Sequence, residues 1–99
     1  MNEAALTKKM VRVLRERGAW ALKTHGDARQ SRGMSDILGC YRGYFFGLES
    51  KLPGKEGTLT ELQAATLRKM KEAGGIARMV TTVQEVKSML DQIDRVRDG

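Results

Sequence analysis

Two apolar runs, Ile37–Tyr41 and Tyr44–Ser50, are separated only by Arg42-Gly43. A link this short folds the second run back on the first as an antiparallel hairpin, because a parallel partner needs a crossover of a dozen or more residues. Such a crossover comes next. Thr60 to about Ala73 carries Leu62, Thr66, Leu67 and Met70 at helical spacing, Gly74-Gly75 supplies a left-handed stop, and Ile76–Val80 is a third apolar run. Strand, helix and strand in that order predict a βαβ unit with a right-handed crossover. Both hairpin runs have apolar residues at odd and even positions, so both faces of the sheet are expected to be covered.

The flanking segments complete the architecture. From Asn2 to about Arg17, Leu6, Met10, Val13 and Leu14 fall on one helical stripe that Gly18 ends, and Ala19–Thr24 reads as a first strand. His25 to Gly33 has no apolar period and is a loop, as is Pro53 to Gly57. Thr82 with Glu85 forms a capping-box pattern ahead of a last helix striped by Val83, Val86, Leu90 and Ile93. The expected fold class is α/β: a mixed sheet of about four strands flanked by helices. At 99 residues the chain suits one domain, residues 1–99, with one core.

Charge narrows the partners. A formal net charge of +6 favours a polyanion, since neutralising phosphates releases their counterions; a generically basic solvated surface is the alternative. A single cysteine, Cys40, excludes an intramolecular disulfide and fits a reducing compartment. Its apolar surroundings predict a small buried residue rather than a nucleophile. The longest apolar stretch, around Tyr44 to Leu48, is too short to span a bilayer, so the protein is expected to be soluble, intracellular and without a membrane partner. Trp20, Tyr41, Tyr44, Phe45 and Phe46 read as core or subunit contact rather than as a base-stacking platform.

The chemistry concentrates around the hairpin. With Tyr41 opposite Tyr44, stepping back along both strands brings Asp36 opposite Glu49 on one face, and Lys51 two residues on points the same way. Two carboxylates so placed repel unless one is protonated or a cation lies between them. Mg²⁺ suits that need, taking one or two carboxylates with water and substrate phosphate, and Lys51 would steady charge on phosphorus. The alternative is a cross-strand ion pair, Glu49 with Lys51 or Asp36 with Arg32. A one-residue bulge would also turn Asp36 to the other face. Glu3 shares the stripe of Leu6 and Met10, which makes it either an outer metal ligand or an acid favoured by the helix dipole. Gln63 is either the partner of Thr60 in a capping box or a group that orders water or phosphate. Arg29, Arg32, Arg42, Lys23, Lys55 and His25, in or near loops, would hold a nucleic-acid backbone without reading bases.

The ordered set Gly33-Met34-Ser35-Asp36-Ile37, Gly43-Tyr44-Phe45, Leu48-Glu49-Ser50-Lys51, Leu59-Thr60-Glu61-Leu62-Gln63 and Ala73-Gly74-Gly75 resembles the VRR-NUC domain of the PD-(D/E)XK nuclease superfamily, in its stand-alone phage and bacterial form. The resemblance implies a restriction-endonuclease-like αβββαβ core plus a C-terminal helix. It also implies Mg²⁺ or Mn²⁺ bound by Asp36, Glu49 and the Ser50 main-chain carbonyl, with Lys51 catalytic. Glu3 would match the first-helix acid and Gln63 the glutamine of the following helix. Ser35 stands where the superfamily name has proline, and Ser50 where an apolar residue is usual. The implied activity is metal-dependent, structure-selective DNA endonuclease action like that of a Holliday-junction resolvase. It would be exerted by a homodimer on branched DNA, a four-way junction or flap, in the cytoplasm of a bacterium or phage-infected host and in the service of DNA repair. The competing readings are a flap or nicking DNase without junction preference, and a non-catalytic basic nucleic-acid-binding module.

Overall fold

The computed structural model describes residues 1–24 and 33–99. Helix α1 (Glu3–Glu16) is followed by strands β1 (Trp20–Lys23), β2 (Ile37–Tyr41) and β3 (Tyr44–Ser50). A short 3₁₀ turn (Glu56–Thr58) leads to α2 (Glu61–Glu72), β4 (Ile76–Val80) and α3 (Val83–Asp98). The four strands form one sheet in the order β1-β2-β3-β4. The first three pair antiparallel and β4 runs parallel to β3, as the βαβ connection demands.

Local chemistry accounts for the element ends. Asn2 caps α1 by accepting from the Ala5 N–H at 2.8 Å, and Gly18 follows the helix at φ +95°. Thr60 caps α2 in a full capping box with Gln63, and Gly74 leaves the helix at φ +100°. The α3 cap departs from the expected box: Thr82 Oγ1 accepts from the Glu85 N–H, but the Glu85 carboxylate turns to the N–H and hydroxyl of Thr81. In the hairpin Arg42 and Gly43 both have positive φ, +50° and +90°, the combination whose twist matches two antiparallel strands.

One sheet face carries the main core. Ala21, Ile37, Phe46, Leu48 and Val80 meet Leu6, Met10, Val11 and Leu14 of α1 and Val86, Met89, Leu90 and Ile93 of α3. Helix α2 packs on β3 and β4 across the other face. Gly47 permits that approach, since a Cβ there would run into the Met70 sulfur. Among the described residues no helix lies over β1 and β2 on the α2 side, which corrects the expectation that both faces are covered throughout. Cys40 of β2 is accordingly exposed rather than buried, and Trp20 of β1 is 63% exposed; Phe45, at the turn end of β3, is 44% exposed while Phe46 on the opposite face is fully buried. Leu62, expected on the packed side of α2, is also exposed. Among the described residues no helix is long and apolar enough to cross a membrane.

Candidate active site

The hairpin register decides where the acids go. Tyr41 opposes Tyr44, and the ladder continues through Gly39 with Phe46 to Ile37 with Leu48. Ile37 and Leu48 point into the main core, so alternation turns Glu49 to the opposite face, where Gln63 of α2 reaches it. Asp36, the residue before β2, brings its carboxyl within hydrogen-bonding reach of Glu49 at the end of the sheet. No bulge intervenes. Asp36 is fixed by β3 itself: its Oδ2 accepts from the Ser50 N–H at 2.9 Å and from the Ser50 hydroxyl at 3.1 Å.

Glu49 is 1% exposed. Its Oε1 accepts from the Gln63 amide at 3.0 Å, and its Oε2 is buried with no hydrogen-bond partner among the described residues. Burial is the main reason its pKa rises to about 8, because desolvation penalises the charged form. The Asp36 carboxyl, within hydrogen-bonding reach, raises it further; the Lys51 charge pulls the other way, and the Glu3 charge adds a smaller push upward. These four groups therefore share one electrostatic environment. Lys51 is itself buried at 8% exposure, and its N–H donates to the Val80 carbonyl at 3.0 Å, so the chain is still held in place beyond the last residue of β3.

Gln63 fills both of the roles that its position left open. Its Oε1 accepts from the Thr60 N–H at 3.0 Å while its Nε2 donates to Glu49. The capping box aims the amide at the acid. Thr7, which the sequence pattern did not single out, and Gly33, which it placed in the motif of Asp36, complete the support. Thr7 of α1 is buried, and its hydroxyl lies 2.6 Å from the Ser50 hydroxyl and 2.9 Å from the Glu3 carbonyl. The polar residue at the middle of Glu49-Ser50-Lys51 thus ties Asp36 to the first turn of α1. Gly33 packs so closely that a Cβ would come within 2.9 Å of the Leu62 main chain, which sets the loop ahead of Asp36 against the start of α2. Neither link has a short-range signal; the serine at a usually apolar position was the only hint.

Other candidates fall elsewhere. Glu3 is half-buried in the first turn of α1, but among the described residues no three His, Cys, Asp or Glu side chains gather at metal-holding distance. Arg42 does not flank it. It sits at the turn, the far end of the hairpin, where its guanidinium bridges Asp94 and Asp98 at 2.8 Å each. Lys23 pairs with Ile37 in register and so lies on the α1 side of the sheet, not with the acids. Lys55 is exposed in the loop after β3. His25, Arg29 and Arg32 lie outside the described residues.

The donor set fits a hard divalent cation. Two carboxylates approach each other, and one of their oxygens is buried without a partner among the described residues, a costly arrangement that a cation would relieve. A solved structure described as "VRR_NUC domain" matches this chain with a TM-score of 0.67, over 90% of this chain and 94% of that one, at 20% identity. The fold is that of a VRR-NUC domain. The same likeness covers the mixed four-stranded sheet and its flanking helices, as the sequence resemblance implied. No family model and no curated protein matches the sequence.

Proposed function

We propose that this VRR-NUC-like chain is a metal-dependent DNA endonuclease that hydrolyses phosphodiester bonds in branched DNA, in the manner of a Holliday-junction resolvase. The observation that carries this reading is the buried Oε2 of Glu49, without a partner among the described residues and beside Asp36 and Lys51, on a fold shared with a VRR-NUC domain. Asp36, Glu49 and the Ser50 main-chain carbonyl would hold Mg²⁺ or Mn²⁺. Such an ion, when bound, supplies Lewis-acid activation of water and charge neutralisation at phosphate.

The residues divide the remaining work. Ser50 and Thr7 hold the Asp36 carboxylate in one orientation, so that it need not reorganise during the reaction. Gln63 satisfies one oxygen of Glu49 and directs the other outward to the ion. Lys51, tied down by Val80, is the cation that steadies negative charge building on the phosphoryl oxygens. Glu3 acts from the edge as an outer group. A four-way junction calls for paired incisions, which a two-fold dimer would supply.

Duplex, flap, splayed and four-way substrates incubated with and without Mg²⁺ or Mn²⁺ test the reading. Metal-dependent cleavage with preference for the four-way substrate is expected. Equal cleavage of all four removes the junction preference, and no cleavage of any removes the enzyme.

A further inference from the structure

A cationic groove lies on the side of the sheet away from the acids. Lys8, Arg12 and Arg15 of α1 and Lys23 of β1 line a depression of about 590 Å³, floored by Val11 and bounded by one acid, Glu16. The spacing of these cations follows the helix repeat, and at 1.5 Å per residue Lys8 and Arg15 are about 10 Å apart along the axis. Arg15 is already oriented: its Nε and Nη2 donate to the Ala21 carbonyl at 3.0 and 2.8 Å, which fixes the guanidinium plane at the groove wall. By contrast Arg17 and Arg42 are engaged by Asp91, Asp94 and Asp98. Among the described residues no carboxylate pairs with Lys8, Arg12, Arg15 or Lys23.

One end of the groove lies at the end of the sheet that bears the acids, on the opposite face. Lys23 pairs with Ile37, the neighbour of Asp36, and Lys8 follows Thr7, whose hydroxyl meets Ser50. A strand of phosphates lying along α1 would therefore reach the end of the sheet where the acids sit. No aromatic side chain of the kind that typically anchors a protein partner lines the groove; Val11 is buried, and the exposed wall is made of aliphatic stems that end in charged groups. We propose that the α1–β1 groove is the surface that grips the DNA sugar-phosphate backbone, independently of base sequence, and feeds one strand toward Asp36 and Glu49. The proposal rests on DNA being the substrate of the proposed nuclease.

Fluorescence anisotropy of labelled four-way and duplex DNA, with Ca²⁺ in place of Mg²⁺ to prevent cleavage, tests it. The double variant K8A/R12A is compared with wild type and with K71A/K87A, which removes the same charge from exposed positions on α2 and α3. Each lost phosphate contact removes about 0.9 from the slope of log K against log salt, so K8A/R12A is expected to bind tenfold or more weakly near 0.1 M salt, with a slope lower by about 1 to 2. K71A/K87A stays within about twofold of wild type. Equal losses in both doubles, or none in K8A/R12A while wild type binds DNA, overturn the groove and leave the nuclease reading intact. Groove-dependent binding without cleavage overturns the active site and leaves the groove. Tighter groove-dependent binding to duplex RNA than to DNA overturns the choice of ligand.

Discussion

Burial of Glu49 makes the fold pH-sensitive in a direction opposite to the usual acidic residue. Its pKa moves from 4.5 to about 8 on folding, so between those values the native state binds a proton that the unfolded chain does not. Stability is then greatest at or below about pH 4.5 as far as this group is concerned, falls as pH rises, and levels off above about 8. The full displacement corresponds to at most about 5 kcal/mol at roughly 1.4 kcal/mol per unit, a large share of the 5–15 kcal/mol typical of a domain. Glu49→Gln carries the same shape without the charge and should lose this slope. Urea unfolding followed by far-UV circular dichroism from pH 5 to 9, in EDTA, measures both proteins. At pH 5 the variant should match wild type to within about 1 kcal/mol; by pH 8.5 it should be the more stable by several. Glu85, Asp94 and Asp98, whose pKa values are lowered by hydrogen bonds from Thr81 and by Arg42, act at lower pH with the opposite sign and cancel in the difference. Millimolar Mg²⁺ should restore wild-type stability above neutral pH and leave Glu49→Gln unmoved. Parallel curves for the two proteins across the whole range would refute the reasoning, because they would mean that Glu49 ionises in the fold as readily as in the unfolded chain.

Three further outcomes follow from contacts. Ser50→Ala removes a hydroxyl shared by Asp36 and Thr7 and leaves buried polar groups unpaired; a loss of about 1–3 kcal/mol is expected, with weaker Mn²⁺ binding by calorimetry. Gly47→Val forces side-chain bulk between β3 and Met70 and should cost about 1–3 kcal/mol in chemical denaturation while separating α2 from the sheet. Gln63→Ala removes both the reciprocal cap and the donor to Glu49, so it should lower thermal stability and raise the Glu49 pKa further, seen as a stability slope shifted to higher pH.

Much of this arrangement is written locally. The Arg42-Gly43 turn fixes the ladder, and from it the proximity of Asp36 and Glu49 follows by counting. The bounds of β2, β3 and β4 coincide with the apolar runs, and the Gly74 stop and Thr60 cap bracket α2. Local pattern fails where the answer depends on what covers a strand. The side of the sheet bearing Trp20 and Cys40 looks as apolar as the side bearing Ile37 and Leu48, but α2 packs on β3 and β4, so those two residues meet solvent. Arg42 shows the same limit: a basic turn residue reads as a phosphate contact until α3 brings Asp94 and Asp98 beside it. The support of the site is the least legible part, because Thr7 and Ser50 are 43 residues apart and meet only through the packing of α1 on the sheet.

The most direct measurement is cleavage of a labelled four-way junction in Mn²⁺ by wild type, Asp36→Asn, Glu49→Gln and Lys51→Ala at equal, folded concentrations. The account predicts cleavage by wild type and a loss of at least a hundredfold in each variant, about 3 kcal/mol or more of barrier. Wild-type rates retained in all three would contradict it.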